Sequence, residues 1–499
     1  MKLWFRIAAL AFILAFSCFY ISYFFDGYLG LSDGNDYAGL ARNIVRGEGF
    51  TLGHVYPLAM TFDPDVPQPN NMWAPAYPVY LAFWLLLLGT SDFALMIATI
   101  AVVWFLILLA YNAGSRLLNP SWGLLAAALV GLNQSVLKTA LDGSPEILTA
   151  ALLLLSVLIL SKRIKGGVVL SGVIFGIAIL SRYQIALLAV PAILYFLNKD
   201  KKSAFLWSGI ILATVSPWLI RNMMVFGNPV FTLQTYGEFT KGMGHLDYYY
   251  YTYRSFTPMT FWYALGNFPF YLFKKFIAGN VYFALNFPAI VNFFGIIPLA
   301  YFARRLFNQE DAEIAFFKFT AVSLVILVGV SSLDGQHWRH VVNLHPFLAV
   351  SIALGLKSII IGVPAFKRIT LSIALILLIF FPARLPFQEL ELSHTSNTVR
   401  ASLPVYELIN SESEPGDVVI SDASDAVWWY ADRPSVWIPV LYPDVVRALE
   451  ISDAEYVYLE DLSAFLTSLS NEEIIDFYSR VYPIHGEPAS WTLFKRNRE

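Results

Sequence analysis

The sequence predicts a mostly α-helical, polytopic membrane protein that ends in a small soluble α/β domain. Hydrophobic residues make up 57% of the 499 residues and charged residues only 14%, whereas soluble globular domains carry about 25% charged residues. Apolar runs long enough to cross a bilayer recur from Leu3 onwards and stop before the acidic C-terminal tail. A single soluble core could not bury this much apolar surface, so the sequence indicates an integral membrane protein.

The first apolar run, residues 3–25, is predicted to be a retained membrane anchor. Bulky Phe16 occupies the place where a lipoprotein cleavage site requires a small residue, and no convincing A-x-A site is present. The single cysteine, Cys18, lies inside this run. An intrachain disulfide is therefore excluded, and cysteine usage does not indicate the redox compartment.

A length criterion of about 20 apolar residues per helix places the predicted spans before residue 387. The sequence predicts eleven of them, at residues 3–25, 93–113, 120–138, 146–161, 167–181, 184–198, 203–220, 282–303, 314–332, 341–362 and 369–384. These segments form the predicted transmembrane domain, residues 1–386.

Residues 74–90 are ambiguous, because the segment is apolar but short and contains Pro75 and Pro78. Cytoplasmic loops collect Lys and Arg. If 74–90 does not cross, four basic groups all fall on the cytoplasmic side: Lys162/Arg163/Lys165, Lys199/Lys201/Lys202, Arg304/Arg305 and Lys367/Arg368. The segment is therefore predicted to be a surface or re-entrant helix, with the N-terminus inside and the chain after residue 386 outside. The long external loops are then residues 26–92 and 221–281.

The C-terminal part, residues 387–499, has a different composition, since its acidic residues outnumber basic ones by more than two to one. The segments "GDVVISD", "AEYVYLED" and "SWTLFKR" have the β-branched and aromatic content of strands. "PDVVRALEI" and "NEEIIDFYSRV" have helical periodicity. A soluble, extracytoplasmic α/β domain is predicted here.

Polar and charged residues gather at the external ends of the predicted spans. The candidate site residues are Asp33, Asp36, Asp142, Glu146, Arg182, Arg221, His337, Arg339 and His340. Arginines on the external side run against the positive-inside bias, so their position requires an explanation. Arg182 could instead extend its guanidinium along the lipid to reach the membrane surface. The position of Glu146 at the start of a helix could be explained by stabilisation from the helix dipole alone.

Asp33 has two interpretations. It could cap a helix in which Asp36 occupies the N3 position and Gly47 follows the last turn. It could also be a carboxylate that faces a cleft at the membrane surface and accepts a proton from a hydroxyl group. The local pattern leaves both interpretations open.

Residues 33–50, with the pattern D-x-x-x-Y-x-x-x-A-x-x-I-x-x-G-x-G-F, resemble the first external loop of the GT-C membrane glycosyltransferases. The resemblance is to the protein O-mannosyltransferases and the lipid A aminoarabinose transferases. It continues through "WAPAYPVYLAFW", "LDGSPEIL", "PWLIRNMMVFGNP" and "WRHVVNLHPFLAV". Gly34 stands where those families usually have a second acid, and Ala-Pro-Ala at 74–76 replaces a His-Pro-Pro motif.

The resemblance implies an inverting glycosyltransferase whose donor is a sugar on a polyprenyl phosphate. Asp33 matches the catalytic carboxylate of these families, while Asp36, Asp142 and Glu146 are candidates for positioning the acceptor or a metal ion. Guanidinium groups bind phosphate with paired hydrogen bonds, so Arg221, Arg339 and Arg182 are candidates for the donor phosphate. Participation of a divalent metal is left open, with His337 and His340 as candidate ligands.

The acceptor, a glycan, a lipid or a protein, is also left open. The protein is expected in the cytoplasmic membrane with its active site outside, among membrane lipids and without a nucleic-acid partner. Two other classes of function stay in view. A polytopic transporter is expected to show ionisable sites at mid-membrane, and a non-catalytic lipid- or sugar-binding membrane protein would share these loops.

Overall fold

The computed structural model describes residues 3–25, 32–161, 165–236, 261–291, 295–304, 312–333, 339–361, 363–364, 395–486 and 491–498. The predicted span at 369–384 and His337 lie outside these residues.

The part of the chain up to residue 361 is mostly helical. Its helices are α1 (Leu3–Phe24), α2 (Ser32–Arg46), α3 (Ala76–Leu88), α4 (Asp92–Leu117), α5 (Pro120–Gly131), α6 (Gln134–Leu141), α7 (Glu146–Ser161), α8 (Gly167–Ser181), α9 (Ala189–Lys199), α10 (Lys201–Phe226), α11 (Phe261–Asn267), α12 (Pro269–Ile290), α13 (Ile296–Ala303), α14 (Ala312–Leu333), α15 (Arg339–Val342) and α16 (His345–Ile361). Short 3-10 turns occur at Ala59–Thr61, Tyr183–Leu188 and Leu233–Tyr236.

Among the described helices, four are each long and apolar enough to cross a membrane: α1, α4, α10 and α14. Helices α5 and α6 make a fifth span if they are counted together, although the chain bends by 50° between them. The shorter apolar helices, among them α7, α8 and α16, fall below that length. The total of eleven spans and their orientation therefore stay predictions.

Several predicted spans, among them 120–138 and 282–303, have different bounds in the structure. The segment 120–138 is interrupted at Asn133, whose side chain accepts a hydrogen bond from the Val136 N–H and so starts a new helix. The predicted span 282–303 is wrong, because α12 already begins at Pro269 and ends at Ile290. Proline favours the first turn of a helix, where its missing N–H has no intrahelical partner. Pro269 is the signal that the prediction overlooks.

Helix α2 begins at Ser32, so Asp33 lies in the first turn and is not the N-cap that the capping interpretation requires. Its predicted end is observed, because Gly47 follows the helix with φ +81°, a conformation that favours glycine. The helix is polar, yet Asn35, Asp36 and Arg42 are buried along it. Buried polar groups need partners, and those partners come mostly from the C-terminal part of the chain.

The C-terminal part contributes five strands to a six-stranded mixed sheet. The strands are β4 (Val419–Ser421), β5 (Ser435–Trp437), β6 (Tyr456–Leu459), β7 (Val481–Gly486) and β8 (Thr492–Arg496), preceded in chain order by β1 (Thr51–Leu52), β2 (His54–Val55) and β3 (Gln68–Pro69). Strand order is β2-β5-β4-β6-β8-β7, and β1 pairs separately with β3. Helical segments lie at Thr395–Glu412, Ser424–Ala426, Val427–Ala431, Tyr442–Ile451, Leu462–Thr467 and Asn471–Arg480.

One strand of this sheet belongs to the long loop between α2 and α3. Strand β2 pairs in parallel with β5, with His54 opposite Ser435 and Val55 opposite Val436. The Ser435 N–H also donates to the Gly53 carbonyl at 2.7 Å. The predicted strands around 419, 456 and 492 are present, whereas β2, β5 and β7 are additional. The first loop and the C-terminal sheet therefore form one hydrogen-bonded unit.

The indole of Trp428 lies between two glycines, one from α2 and one from the loop after it. A Cβ at Gly39 would come within 2.5 Å of the six-membered ring, and a Cβ at Gly53 within 2.3 Å of the ring nitrogen. The ring is 3% exposed and cannot move away from one glycine without meeting the other. Both positions therefore require glycine for steric reasons rather than for backbone conformation.

Gly39→Ala is expected to destabilise the protein, because the added methyl group overlaps Trp428. Overpacking costs about 1–3 kcal/mol, which exceeds the gain of up to about 1 kcal/mol from replacing a helical glycine by alanine. Thermal unfolding in detergent measures the effect. Gly209→Ala is the matched control, since nothing lies within 4 Å of the added Cβ in α10. Equal unfolding temperatures for wild type and Gly39→Ala would contradict the packing described here.

Candidate functional site

Asp33 and Arg339 form an ion pair in the structure. The first turn of α2 carries Asp33, and Arg339 begins α15. The Arg339 Nη2 atom lies 2.5 Å from Asp33 Oδ2, and the two side chains are 25% and 22% exposed. A partly exposed carboxylate can accept a proton, and the guanidinium next to it can bind a phosphate.

Glu146 and Arg182 lie behind this pair. Helices α7 and α8 pack side by side, and Glu146 starts the first while Arg182 follows the last residue of the second. The Glu146 carboxylate accepts hydrogen bonds from Arg182 Nε and Nη2, and the carboxylate is fully buried. Burial of this acid requires a paired cation, so snorkelling is not needed to explain Arg182.

The two ion pairs are connected. Arg339 Nε lies 3.9 Å from Glu146 Oε1, which links Asp33, Arg339, Glu146 and Arg182 into one group, the charge cluster. Its two acids and two arginines balance in charge. Within the described residues, Arg339 Nε and Glu146 Oε2 are buried without a hydrogen-bond partner. The cluster therefore retains hydrogen-bonding capacity for a polar ligand.

Asp142 lies within electrostatic range of the charge cluster. Burial raises the pKa of Asp142 to about 6, while Lys138 and Arg339 act in the opposite direction. Repulsion from Glu146 and Asp33 adds to the rise. A carboxylate with a pKa nearer neutrality is a stronger base than an ordinary aspartate. Asp142 is thus a second acid that can handle protons beside the cluster.

Asp36 has a more enclosed environment. Its Oδ2 atom accepts a hydrogen bond of 3.0 Å from the Trp73 indole, and His54 Nε2 lies 3.9 Å from Oδ1. Burial, followed by repulsion from Asp425 and Asp33, raises the pKa of Asp36 well above its usual value. Burial also lowers the pKa of His54 to about 3. A neutral imidazole is therefore expected beside the Asp36 carboxyl group.

Arg221 has a different set of contacts from the charge cluster. Its Nη1 atom donates to the Asn70 carbonyl at 2.7 Å and to the Asn222 side chain at 3.0 Å. The guanidinium also lies over the Trp218 and Phe226 rings, 4.8 Å and 5.0 Å from their centroids. These contacts fix the loop between α2 and α3 to α10, and a role for Arg221 in phosphate binding stays a prediction.

His340 is buried next to two polar side chains. Its Nδ1 atom lies 3.2 Å from Ser331 Oγ and 3.5 Å from Gln184 Nε2. Among the described residues, no three His, Cys, Asp or Glu side chains are arranged to hold a metal ion. Hydrogen bonding accounts for the observed contacts of His340, and metal binding stays an open prediction.

A small cavity of about 30 Å³ adjoins the charge cluster. It is lined by Tyr37, Met72, Trp73, Ala74, Ser181, Arg182, Tyr183, Gln184 and Gln234. A volume of this size admits water-sized groups, so a sugar requires movement of the lining side chains. Aromatic rings and the Arg182 guanidinium form its walls, which suits both the face of a sugar and an anionic group.

Several polar residues around α2 are absent from the sequence-based site. The Asn35 amide donates to Asp425 at 2.8 Å, and Ser424 Oγ lies 2.8 Å from His54 Nδ1. The Arg42 guanidinium donates to the carbonyls of Trp428 and Trp429. The sequence holds one hint of these contacts, the unusual pair of tryptophans in "DAVWWYADR". Local pattern alone does not show that this segment meets α2.

Residues 68–220 match the family model of dolichyl-phosphate-mannose-protein mannosyltransferase. No curated protein matches the chain in sequence. The fold is similar to that of the Archaeoglobus fulgidus oligosaccharyltransferase in the apo form, with a TM-score of 0.59 at 12% identity, covering 100% of this chain and 75% of that one. The predicted resemblance to the GT-C membrane glycosyltransferases is confirmed.

Two further structures share this fold. ArnT from Cupriavidus metallidurans, bound to undecaprenyl phosphate, has a TM-score of 0.55 at 12% identity, with 99% of this chain and 98% of that one covered. AglB from Archaeoglobus fulgidus, in complex with an inhibitory peptide and a dolichol-phosphate, has a TM-score of 0.56 at 13% identity, with 99% and 75% covered. The chain thus has the fold of the GT-C glycosyltransferases, and four of its described helices are each long and apolar enough to cross a membrane.

Proposed function

We propose that the protein is an integral membrane glycosyltransferase that moves a sugar from a polyprenyl-phosphate donor to an acceptor. The observation that carries this proposal is the Asp33–Arg339 ion pair, which presents a base and a phosphate ligand side by side. Support also comes from the similar structures, whose ligands are an undecaprenyl phosphate and a dolichol-phosphate.

The proposed reaction is a single displacement at the anomeric carbon. The bond from that carbon to the phosphate oxygen breaks, a bond to the acceptor oxygen forms, and the acceptor proton moves to the Asp33 carboxylate. Polyprenyl phosphate leaves with the electron pair, and Arg339 stabilises the charge that develops on it. Attack opposite the departing phosphate inverts the anomeric configuration.

The ion pair determines the order of two steps, so that donor binding precedes proton transfer to Asp33. While Arg339 is paired with Asp33, the positive charge of the guanidinium balances the negative charge of the carboxylate, which is then a poor base. A donor phosphate competes for the same guanidinium, and its arrival frees the Asp33 carboxylate to accept the proton. Glu146 keeps Arg182 and Arg339 in place through the hydrogen bonds and the 3.9 Å approach described above. Arg182 then adds positive charge near the leaving group.

The remaining assignments are part of the same proposal. Asp142, near the cluster, positions the acceptor hydroxyl, and Asp36 supports α2 from the interior.

Residues 387–499 form an extracytoplasmic domain on a transmembrane domain of residues 1–386, and the active site faces the outside of the cytoplasmic membrane. The acceptor is a glycan, a lipid or a protein, and the complex of AglB with an inhibitory peptide makes peptides one class to test.

A ligand panel tests the proposed function. The purified chain is heated with polyprenyl-phosphate sugars, with free polyprenyl phosphate and with nucleotide sugars, and protection against heat is measured. Ligand that binds the folded state alone stabilises it by RT ln(1 + [L]/Kd). We expect protection by at least one polyprenyl-phosphate sugar and none by nucleotide sugars. Protection by nucleotide sugars alone would contradict the proposal.

A further inference from the structure

Helix α2 carries Asp33, so the position of this helix decides where the carboxylate points. The polar stripe Asn35, Gly39, Arg42 and Arg46 repeats at intervals of three and four residues, which places it on one face of the helix. This face meets a single C-terminal segment, Ser424 to Asp432, which we call the clamp segment.

The clamp segment contacts the stripe along its whole length. Asn35 Nδ2 donates to Asp425 Oδ2 at 2.8 Å, and the Trp428 ring covers Gly39. Two carbonyls of the segment then accept from Arg42, at 2.7 Å and 2.9 Å. At the far end, both Asp432 carboxylate oxygens accept from Arg46 at 2.8 Å.

The same segment is fixed to the membrane part at a second place. Trp429 Nε1 donates to Asp92 Oδ1 at 3.0 Å, and the Tyr430 hydroxyl donates to Asp92 Oδ2 at 3.2 Å. Asp92 is the first residue of α4. The clamp segment therefore joins α2 to the start of α4, and a displacement of the segment changes the position of α2 relative to that helix.

The contact closest to Asp33 in sequence is the Asn35–Asp425 hydrogen bond. Asn35 is fully buried and Asp425 is 5% exposed. The side-chain oxygen of Asn35, Oδ1, is buried without a hydrogen-bond partner among the described residues. Within these residues the Asn35 side chain is therefore held by its hydrogen bond to Asp425. Hydrogen bonds shielded from water are costly to lose, so this bond restrains the first turn of α2 strongly.

We infer that Asp425 is a positioning residue for the transfer reaction and that the C-terminal domain determines the position of Asp33 in the active site. Asp425 acts through Asn35, which holds the first turn of α2 so that Asp33 lies against Arg339. The C-terminal domain then contributes geometry to the reaction rather than contacts with the reacting atoms. This inference rests on the proposed role of Asp33.

Exchanging the two partners tests the inference. Asn35→Asp alone places an acid opposite Asp425 and near Asp33 and Asp36, so repulsion opens the contact. The double variant Asn35→Asp with Asp425→Asn restores one amide and one carboxylate in the reverse order. A displacement of about 1 Å at an active site costs about 100-fold in rate. We expect Asn35→Asp to lower kcat at least tenfold at nearly unchanged KM, and the double variant to recover to within about threefold of wild type.

Asp422→Asn is the matched control, because the Asp422 carboxylate accepts from the backbone N–H groups of Glu460 and Asp461 and makes no contact with α2 within the described structure. The same substitution three residues away from Asp425 is expected to leave kcat within about twofold. A merely structural role of the pair would lower the amount of folded protein while kcat per folded molecule stayed constant.

Hydrogen exchange gives a second readout that needs no substrate. Peptides covering residues 33–46 are followed in full-length protein in detergent, and we expect faster exchange in Asn35→Asp, recovery in the double variant and no change in Asp422→Asn. Unchanged exchange in Asn35→Asp would overturn the inference, and so would faster exchange at wild-type kcat. If the wild type turns over no polyprenyl-phosphate sugar, the proposed function fails, and the exchange data alone show whether Asp425 holds α2.

Discussion

Asp33→Asn is expected to lower turnover by about 10²–10⁴-fold, the usual contribution of a general base. Asparagine has nearly the same shape as aspartate and still accepts a hydrogen bond from Arg339, but its amide cannot take the acceptor proton. The ion pair is partly exposed, and pairs of that kind contribute at most about 1 kcal/mol to stability. The variant should therefore fold and bind donor while turnover is lost, as measured with the donor that protects the wild type against heat.

Two matched variants make this result specific. Asp65→Asn changes an exposed acid in the loop between α2 and α3 and should leave turnover unchanged. Asp142→Asn removes the acid whose pKa lies at about 6, and it should cost less than Asp33→Asn if Asp142 positions the acceptor. The reverse order, with the larger loss in Asp142→Asn, would move the role of base from Asp33 to Asp142.

Glu146→Gln is expected to destabilise the protein by about 3–5 kcal/mol, because it leaves a buried arginine without its counter-charge. The Glu146 side chain is fully buried and Arg182 is 10% exposed, so water cannot replace the lost carboxylate. Arg339 also loses a nearby negative charge. Thermal unfolding in detergent should show a large drop in midpoint, together with loss of turnover in the fraction that stays folded.

The control for this prediction makes the same chemical change at the surface. Glu450 lies 3.8 Å from Arg480 with 62% of its side chain exposed. Exposed pairs contribute about 0–1 kcal/mol, so Glu450→Gln should unfold close to the wild-type temperature. If Glu146→Gln also unfolds close to the wild-type temperature, Arg182 does not need Glu146 as its counter-charge, and the charge cluster lacks the internal pairing described here.

The sequence predicts the parts of the fold that are set by local pattern. Helix α4 is observed close to its predicted span because an unbroken apolar run marks it. Asp33, Arg221 and Arg339 are predicted to gather at one membrane face, because each lies at an end of an apolar segment. The structure pairs Asp33 with Arg339, whereas Arg221 contacts Asn70 and Asn222. Glu146 and Arg182 were predicted as separate ligands, whereas they pair with each other. Sequence pattern indicates the membrane face of a charge but not its partner.

The contribution of the C-terminal domain could not be predicted from pattern. Asn35 and Asp425 are separated by 390 positions in the chain, and neither belongs to a motif with a known spacing. The two-residue strand at His54 and Val55 is too short to have a recognisable alternation. Parallel pairing of this strand with β5 arises from tertiary packing. Contacts of this kind decide the position of α2 and leave little trace in local sequence.

Transfer itself is the measurement that tests the central claim most directly. The purified wild type, in excess of donor, is mixed with a polyprenyl-phosphate sugar labelled in the sugar and with acceptors of the three proposed classes, a glycan, a lipid and a peptide, and the label is followed over time. The account predicts that label moves from the lipid to at least one acceptor, that free polyprenyl phosphate appears in equal amount, and that neither occurs with Asp33→Asn. A donor that binds to the wild type and stays intact with every acceptor would contradict the account and would indicate a binding protein or a transporter.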